Sequence, residues 1–175
     1  MGTGFESAQG IAAVAVALVA SVVDVRLRRI PNVLTFGAAA AGFVYHVASG
    51  GPRGAGFSAG GWATGLVLFL PWFILRGMGA GDVKLLAALG AWLGPATTLW
   101  VALFSAIAGG VLAVVVALAR GYLGKALNNL WWLFGYWRTV GIAASPELTL
   151  ESGKAPRLAY AVPIAVGTVV TLWLR

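Results

Sequence analysis

Two aspartates, Asp24 and Asp82, stand in this chain of 175 residues, among only five acidic residues in all. Each lies at the edge of an apolar run, where a carboxylate is costly to keep and marks a functional site. Two carboxylates that share a site do not readily both ionise, so one of them keeps a proton. The ionised member can then take a proton from water while the protonated member polarises a peptide carbonyl. That pairing suits peptide hydrolysis with no metal and no covalent intermediate. The rest of the inventory narrows the choice. There is no cysteine, which excludes disulfides, thiolate metal sites and cysteine nucleophiles. The single histidine, His46, cannot build a His-rich metal site. A plainer reading stands beside the catalytic one. Asp24 could pair with Arg28 one helical turn later, and Asp82 could cap a helix after Gly81. Glu6, Glu147 and Glu151 fall in polar tail and loop segments, where solvation accounts for them.

The elements that must carry these residues are apolar. Hydrophobic residues make up 60% of the chain and charged residues 10%, against about 45–50% and 25% in soluble domains. Lipid is therefore the solvent for most of the surface. A spanning helix needs roughly 20 apolar residues, and the chain offers six runs: 8–23, 33–49, 59–75, a short one at 83–93, 96–119 and 158–174. Gly50-Gly51-Pro52 and Gly94-Pro95 read as turns between them, and Pro31 sits just inside the start of the second helix. The segment before the first run carries Glu6 and no Lys or Arg, so the run reads as a retained span with its N-terminus outside. Counting Lys and Arg then puts Arg26, Arg28, Arg29, Arg76, Lys84, Arg120, Lys125, Arg138, Lys154 and Arg157 on the cytoplasmic side and only Arg53 and Arg175 outside. Trp131, Trp132, Phe134, Tyr136 and Trp137 crowd one stretch, so 125–142 reads as a helix lying in the membrane interface; the alternative is a seventh, poorly hydrophobic span, which would place Lys154 and Arg157 outside. The expected fold is all-α: one polytopic membrane helix bundle, 1–175, with about six transmembrane helices and an interfacial amphipathic helix. The net charge of +7 then points to anionic lipid headgroups and not to nucleic acid. On this topology Asp24 and Asp82 are separated by two crossings and fall on the same, cytoplasmic side.

The sequences around the aspartates are distinctive. The second reads Gly79-Ala80-Gly81-Asp82-Val83-Lys84-Leu85, a Gly-x-Gly-Asp motif whose glycines permit close backbone approach and would leave room for a substrate strand. The first reads Asp24-Val25-Arg26-Leu27-Arg28-Arg29-Ile30-Pro31-Asn32. Together they resemble the type IV prepilin peptidases, the Gly-x-Gly-Asp aspartic proteases, and look most like the small Tad/Flp-type enzymes. Leu158 to Gly167 is similar to that family's closing helix, so the resemblance runs from about Ala8 to Leu174 and accounts least for 121–155. It implies a bacterial inner-membrane enzyme that cuts the short basic leader from pilin or pseudopilin precursors at the cytoplasmic face, with Asp24 and Asp82 as the catalytic pair and no cofactor. Arg26, Pro31, Asn32, Gly79, Gly81 and Lys84 match neighbouring motif positions. Arg26 and Lys84 could hold an ionised carboxylate or meet lipid phosphate; Arg26 reads equally as ordinary positive-inside charge. Asn32 could supply an amide near the site or simply start a helix. The larger relatives add a cytoplasmic domain with Cys-x-x-Cys zinc sites and methylate the new pilin N-terminus. This chain lacks cysteine, so methyl transfer is not expected.

Other residues read as packing. His46 is expected to be a packed or interfacial histidine, Gly109 and Gly110 to allow close helix contact, and the tryptophans to anchor at the interface. The main alternative is a transporter or secretion-system subunit that relays protons through the aspartates; it requires acids at mid-membrane depth, whereas these lie at the ends of runs. A presenilin-type protease would carry Tyr before the first aspartate and a later Pro-Ala-Leu, and Val23 precedes Asp24. Nothing in the residues selects an oligomeric state.

Overall fold

A computed structural model describes residues 5–141 and 159–174, and every regular element among them is helical: α1 (Ala8–Leu27), α2 (Asn32–Ile74), α3 (Ala80–Ala119), α4 (Leu123–Val140) and α5 (Ala161–Trp173). The calls on Glu147, Glu151, Lys154, Arg157, Ile142, Leu158 and Arg175 lie outside the described residues.

α1 begins at Ser7, whose hydroxyl accepts the Gly10 N–H at 3.1 Å, one of the donors a helix start leaves without an intrahelical partner. Its inward face is a stripe of small residues, Gly10, Ala13, Ala17, Ala20 and Ser21, while Ile11, Leu18, Val19, Val22 and Val25 point outward. Small side chains inside and large apolar ones outside is the arrangement expected where lipid replaces water and close backbone packing holds helices together. Asp24 continues the inward stripe at helical spacing, which aims a carboxylate into the bundle. The helix runs one turn past the expected end. Asp24 and Arg26 are therefore inside α1 and not at its close, and Arg28 ends the helix in the left-handed conformation with its N–H on the Asp24 carbonyl at 2.8 Å.

α2 and α3 are each about twice the length one crossing needs, and each folds back on itself. Gly51 (φ +54°) and Gly94 (φ +74°) hold conformations that residues with a Cβ rarely adopt, and each is followed by proline, which has no N–H to continue a helix. Residues eight apart along a straight helix lie about 12 Å apart. Here Gly54 abuts the His46 backbone, and the His46 and Phe57 rings are 4.9 Å apart, so the chain has reversed. The turns expected at Gly50-Gly51-Pro52 and Gly94-Pro95 are thus tight reversals, with Gly51 and Gly94 breaking the helical backbone. His46 is buried and its Nε2 donates to the Trp92 carbonyl at 2.9 Å, a packing role.

The first limb of α3 is the centre of the molecule. From Val83 to Leu93 nearly every residue is buried, with Leu85, Leu86 and Leu89 fully so. A helix apolar on all sides belongs inside a bundle, which explains a run that read as short for a span. The second limb of α2 lies directly on it, with Gly61 against Gly90 and Gly65 against Ala87 at backbone distance. α5 packs on α1 and on the second limb of α3, where Gly109 accepts the Tyr160 ring; Gly110 faces open space. Among the described elements α4 touches only α3, and it exposes Leu127, Leu130, Trp131 and Trp132. By length and composition three helices, α1, α2 and α3, suit a membrane crossing; α5 is apolar but short. Large apolar side chains such as Val33, Val67, Val111 and Leu118 cover the outside of these three, as expected of a membrane protein.

Candidate active site

The site forms where the end of α1, the start of α3 and the start of α5 meet. Asp24 is 7% exposed. Its Oδ2 accepts the Ala161 N–H at 3.4 Å. Ala161 opens α5, so this N–H has no partner within its own helix, and the positive end of the α5 dipole faces the carboxylate. One turn earlier on α1, the Ser21 hydroxyl reaches the carbonyl of the same residue, Ala161, at 2.9 Å, and the Ala17 carbonyl at 2.8 Å. Arg28, one turn after Asp24, adds an opposite charge within electrostatic reach.

Asp82 is the third residue of α3 and is partly buried. Its carboxylate accepts the N–H of Gly79, the residue that caps α3, while its own N–H donates to the Gly79 carbonyl at 3.2 Å. The side-chain contact is the returning half of a capping box; the N-cap is Gly79, and Asp82 lies inside the first turn instead of capping the helix after Gly81 as the sequence reading expects. The geometry also explains the two motif glycines. A Cβ on Gly79 would stand 3.2 Å from Asp82 Oδ2, and a Cβ on Gly81 would stand 3.2 Å from the Ile30 Cβ. Gly79 lets the carboxylate fold back, and Gly81 admits the side chain of the α1–α2 connection. Space for a substrate strand, the role read from the sequence, is not what surrounds Gly81.

The two aspartates come together: Asp24 acts electrostatically on Asp82, and Asp82 on Tyr160. Tyr160 escaped the sequence reading as a site residue. It precedes Ala161, its hydroxyl donates to the Ser105 carbonyl at 3.4 Å, and its ring meets Phe69 edge-on at 6.0 Å. Ser21 was missed as well. Ser21 stands one turn before Asp24 on α1 but belongs to no motif, and only the docking of α5 brings Tyr160 and Ala161 to α1 and α3.

The supporting positions lie around this pair with separate partners. Lys84 Nζ donates to Asn32 Oδ1 at 2.9 Å and stands 5.4 Å from the centre of the Phe36 ring. That contact ties the start of α3 to the start of α2 and gives Asn32 both a helix-starting place and an amide partner. Pro31 is the N-cap of α2, one place before its first residue. Arg26 is exposed and borders an open groove with Ser21, Val22, Val25 and Val162. No group of three or more His, Cys, Asp or Glu is gathered among the described residues.

The family model described as the type IV leader peptidase family matches residues 11–114. The match takes in both aspartates and ends before α4, so the closing helix α5 lies beyond it. No curated protein and no solved structure matches the chain.

Proposed function

The chain belongs to the type IV leader peptidase family, and from that premise we propose that it is an aspartic endopeptidase of the bacterial inner membrane that removes the basic leader from Flp-type prepilins or pseudopilins at the cytoplasmic face. The observation that carries the aspartic mechanism is the meeting of Asp24 from α1 and Asp82 from α3, the chain's two aspartates, within electrostatic reach at one end of the bundle. In the proposed reaction one carboxylate is ionised and takes a proton from water. The resulting hydroxide adds to the scissile carbonyl while the protonated partner donates to its oxygen. Collapse of the tetrahedral intermediate breaks the C–N bond, and a carboxyl proton passes to the leaving amine. Arg28 beside Asp24 and the Gly79 N–H on Asp82 hold the carboxylates in place in this reading. The proposal covers cleavage alone, without methyl transfer.

The proposed topology has α1, both limbs of α2, both limbs of α3 and the closing segment crossing, about six spans with both termini outside. α4, with its exposed aromatics beside Lys125 and Arg138, lies in the interface against anionic headgroups. The direct test is reconstitution. Purified protein in liposomes, given a full-length Flp-type prepilin, should release the intact leader, identified by mass spectrometry. A precursor left whole under conditions where the protein is folded would contradict the proposal.

A further inference from the structure

Asp24 and Ser21 stand three residues apart on one face of α1, and between them they hold both main-chain polar groups of a single residue 137 and 140 positions away. The carboxylate takes the Ala161 N–H and the hydroxyl gives to the Ala161 carbonyl. Ala161 is fully buried, and its methyl side chain carries no polar group, so α1 grips the backbone of α5 itself. The two contacts differ in strength. The carboxylate bond, at 3.4 Å, is beyond the usual N–H···O range, whereas the hydroxyl lies 2.9 Å from the Ala161 carbonyl, inside the usual O–H···O range, with its one proton shared between that carbonyl and the Ala17 carbonyl at 2.8 Å. The shorter bond therefore sets where the Ala161 carbonyl sits, and through the Ala161 Cα it sets where the preceding N–H meets the carboxylate.

A buried hydroxyl on a helix needs no second partner. Thr98, Ser105, Thr168 and Thr171 bond back to carbonyls of their own helices four residues earlier. Ser21 has that option in Ala17 and still lies at bonding distance from Ala161. The second contact registers α5 along α1. If it slips, the Ala161 N–H and the neighbouring Tyr160 move relative to Asp24 and Asp82.

We propose that Ser21 is a positioning residue for the Asp24 carboxylate, acting through the Ala161 backbone. This rests on the reading of Asp24 as one of the catalytic pair. Displacement of a reacting group by about 1 Å costs on the order of 100-fold in rate. Ser21→Ala should therefore lower kcat about 10- to 100-fold with KM changed less than about twofold, since the lost interaction serves the reaction and not substrate binding. Ser21→Thr keeps the hydroxyl, and the groove of about 290 Å³ beside Ser21 has room for the added methyl; it should return most of the lost rate. The assay is steady-state cleavage of a prepilin by the reconstituted full chain, with Asp24→Asn run in parallel. A wild-type kcat in Ser21→Ala beside an inactive Asp24→Asn overturns the role of Ser21 and leaves the peptidase reading standing. Equal losses in Ser21→Ala and Ser21→Thr also overturn it, because the hydroxyl is then not the agent. Normal cleavage by Asp24→Asn overturns the reading beneath it. Should Ser21→Ala not fold, Ser21→Cys is close in size with a weak S–H donor; its kcat should fall in the same way, and an unchanged kcat overturns the proposal.

Discussion

At the scale of single residues, the site is two carboxylates whose partners are mostly backbone. Gly79 and Ala161 supply N–H groups, and Ile30 fills the space that Gly81 leaves. Substitution at Gly79 is therefore expected to act on Asp82 directly. Gly79→Ala places a methyl 3.2 Å from Oδ2, closer than ordinary van der Waals contact, and the carboxylate must give by a few tenths of an ångström. Cleavage by Gly79→Ala should fall by about tenfold or more with little change in thermal stability, measured by prepilin processing beside unfolding in detergent; an unchanged rate would show that Asp82 does not need its folded-back position. Lys84→Ala should cost less than either aspartate, because Lys84 is occupied by Asn32 and Phe36; a loss as complete as that of an aspartate variant would assign it a direct part. Asp24, Asp82 and their flanking motifs were legible because unusual residues stand at fixed spacing. Ser21, Tyr160 and Ala161 were not, because a serine in an apolar helix and a tyrosine before one are ordinary until a contact across nearly the whole chain brings them to the carboxylates.

At the scale of elements, the apolar runs and their Gly-Pro punctuation were readable, and the breaks fall at Gly51 and Gly94 as the composition suggests. One feature was not readable: α1 gains a turn because Val25, Arg26 and Leu27 are compatible with a helix and Arg28 takes the left-handed cap. That extra turn matters, since it sets Asp24 inside a helix with its side chain directed inward. The two reversals should respond differently to a Cβ. Gly51→Ala meets open space and only a strained φ, whereas Gly94→Ala meets the same kind of strain and the Phe57 ring. The first should cost about 1–3 kcal/mol and the second distinctly more, read as the fall in unfolding midpoint in detergent. Equal midpoints would show that Phe57 moves aside freely.

At the scale of the whole molecule, a leucine-rich central limb of α3 is met by glycine, alanine and serine on its neighbours, and large apolar side chains also cover much of the surface. The all-helical, membrane-type architecture was legible from composition alone. How the limbs cross was not, because the central limb of α3 is short for a span yet buried on every side. The absence of cysteine gives a direct topology assay. Single cysteines placed at Arg29 and Arg120 should react with an impermeant thiol reagent only from the cytoplasmic face, and one at Arg53 only from the opposite face. Labelling of Arg29→Cys and Arg53→Cys from the same face would contradict the proposed crossings. EDTA should leave cleavage unchanged, since the two carboxylates are not accompanied by a third donor of the His, Cys, Asp or Glu kind among the described residues; activity lost to EDTA and restored by zinc would contradict the two-aspartate mechanism. The most direct test of that mechanism is cleavage of one Flp-type prepilin by the wild-type chain, Asp24→Asn and Asp82→Asn, each confirmed to be inserted and folded. The account predicts that the wild-type chain releases the leader and that either variant alone abolishes it; normal processing by either variant would contradict it.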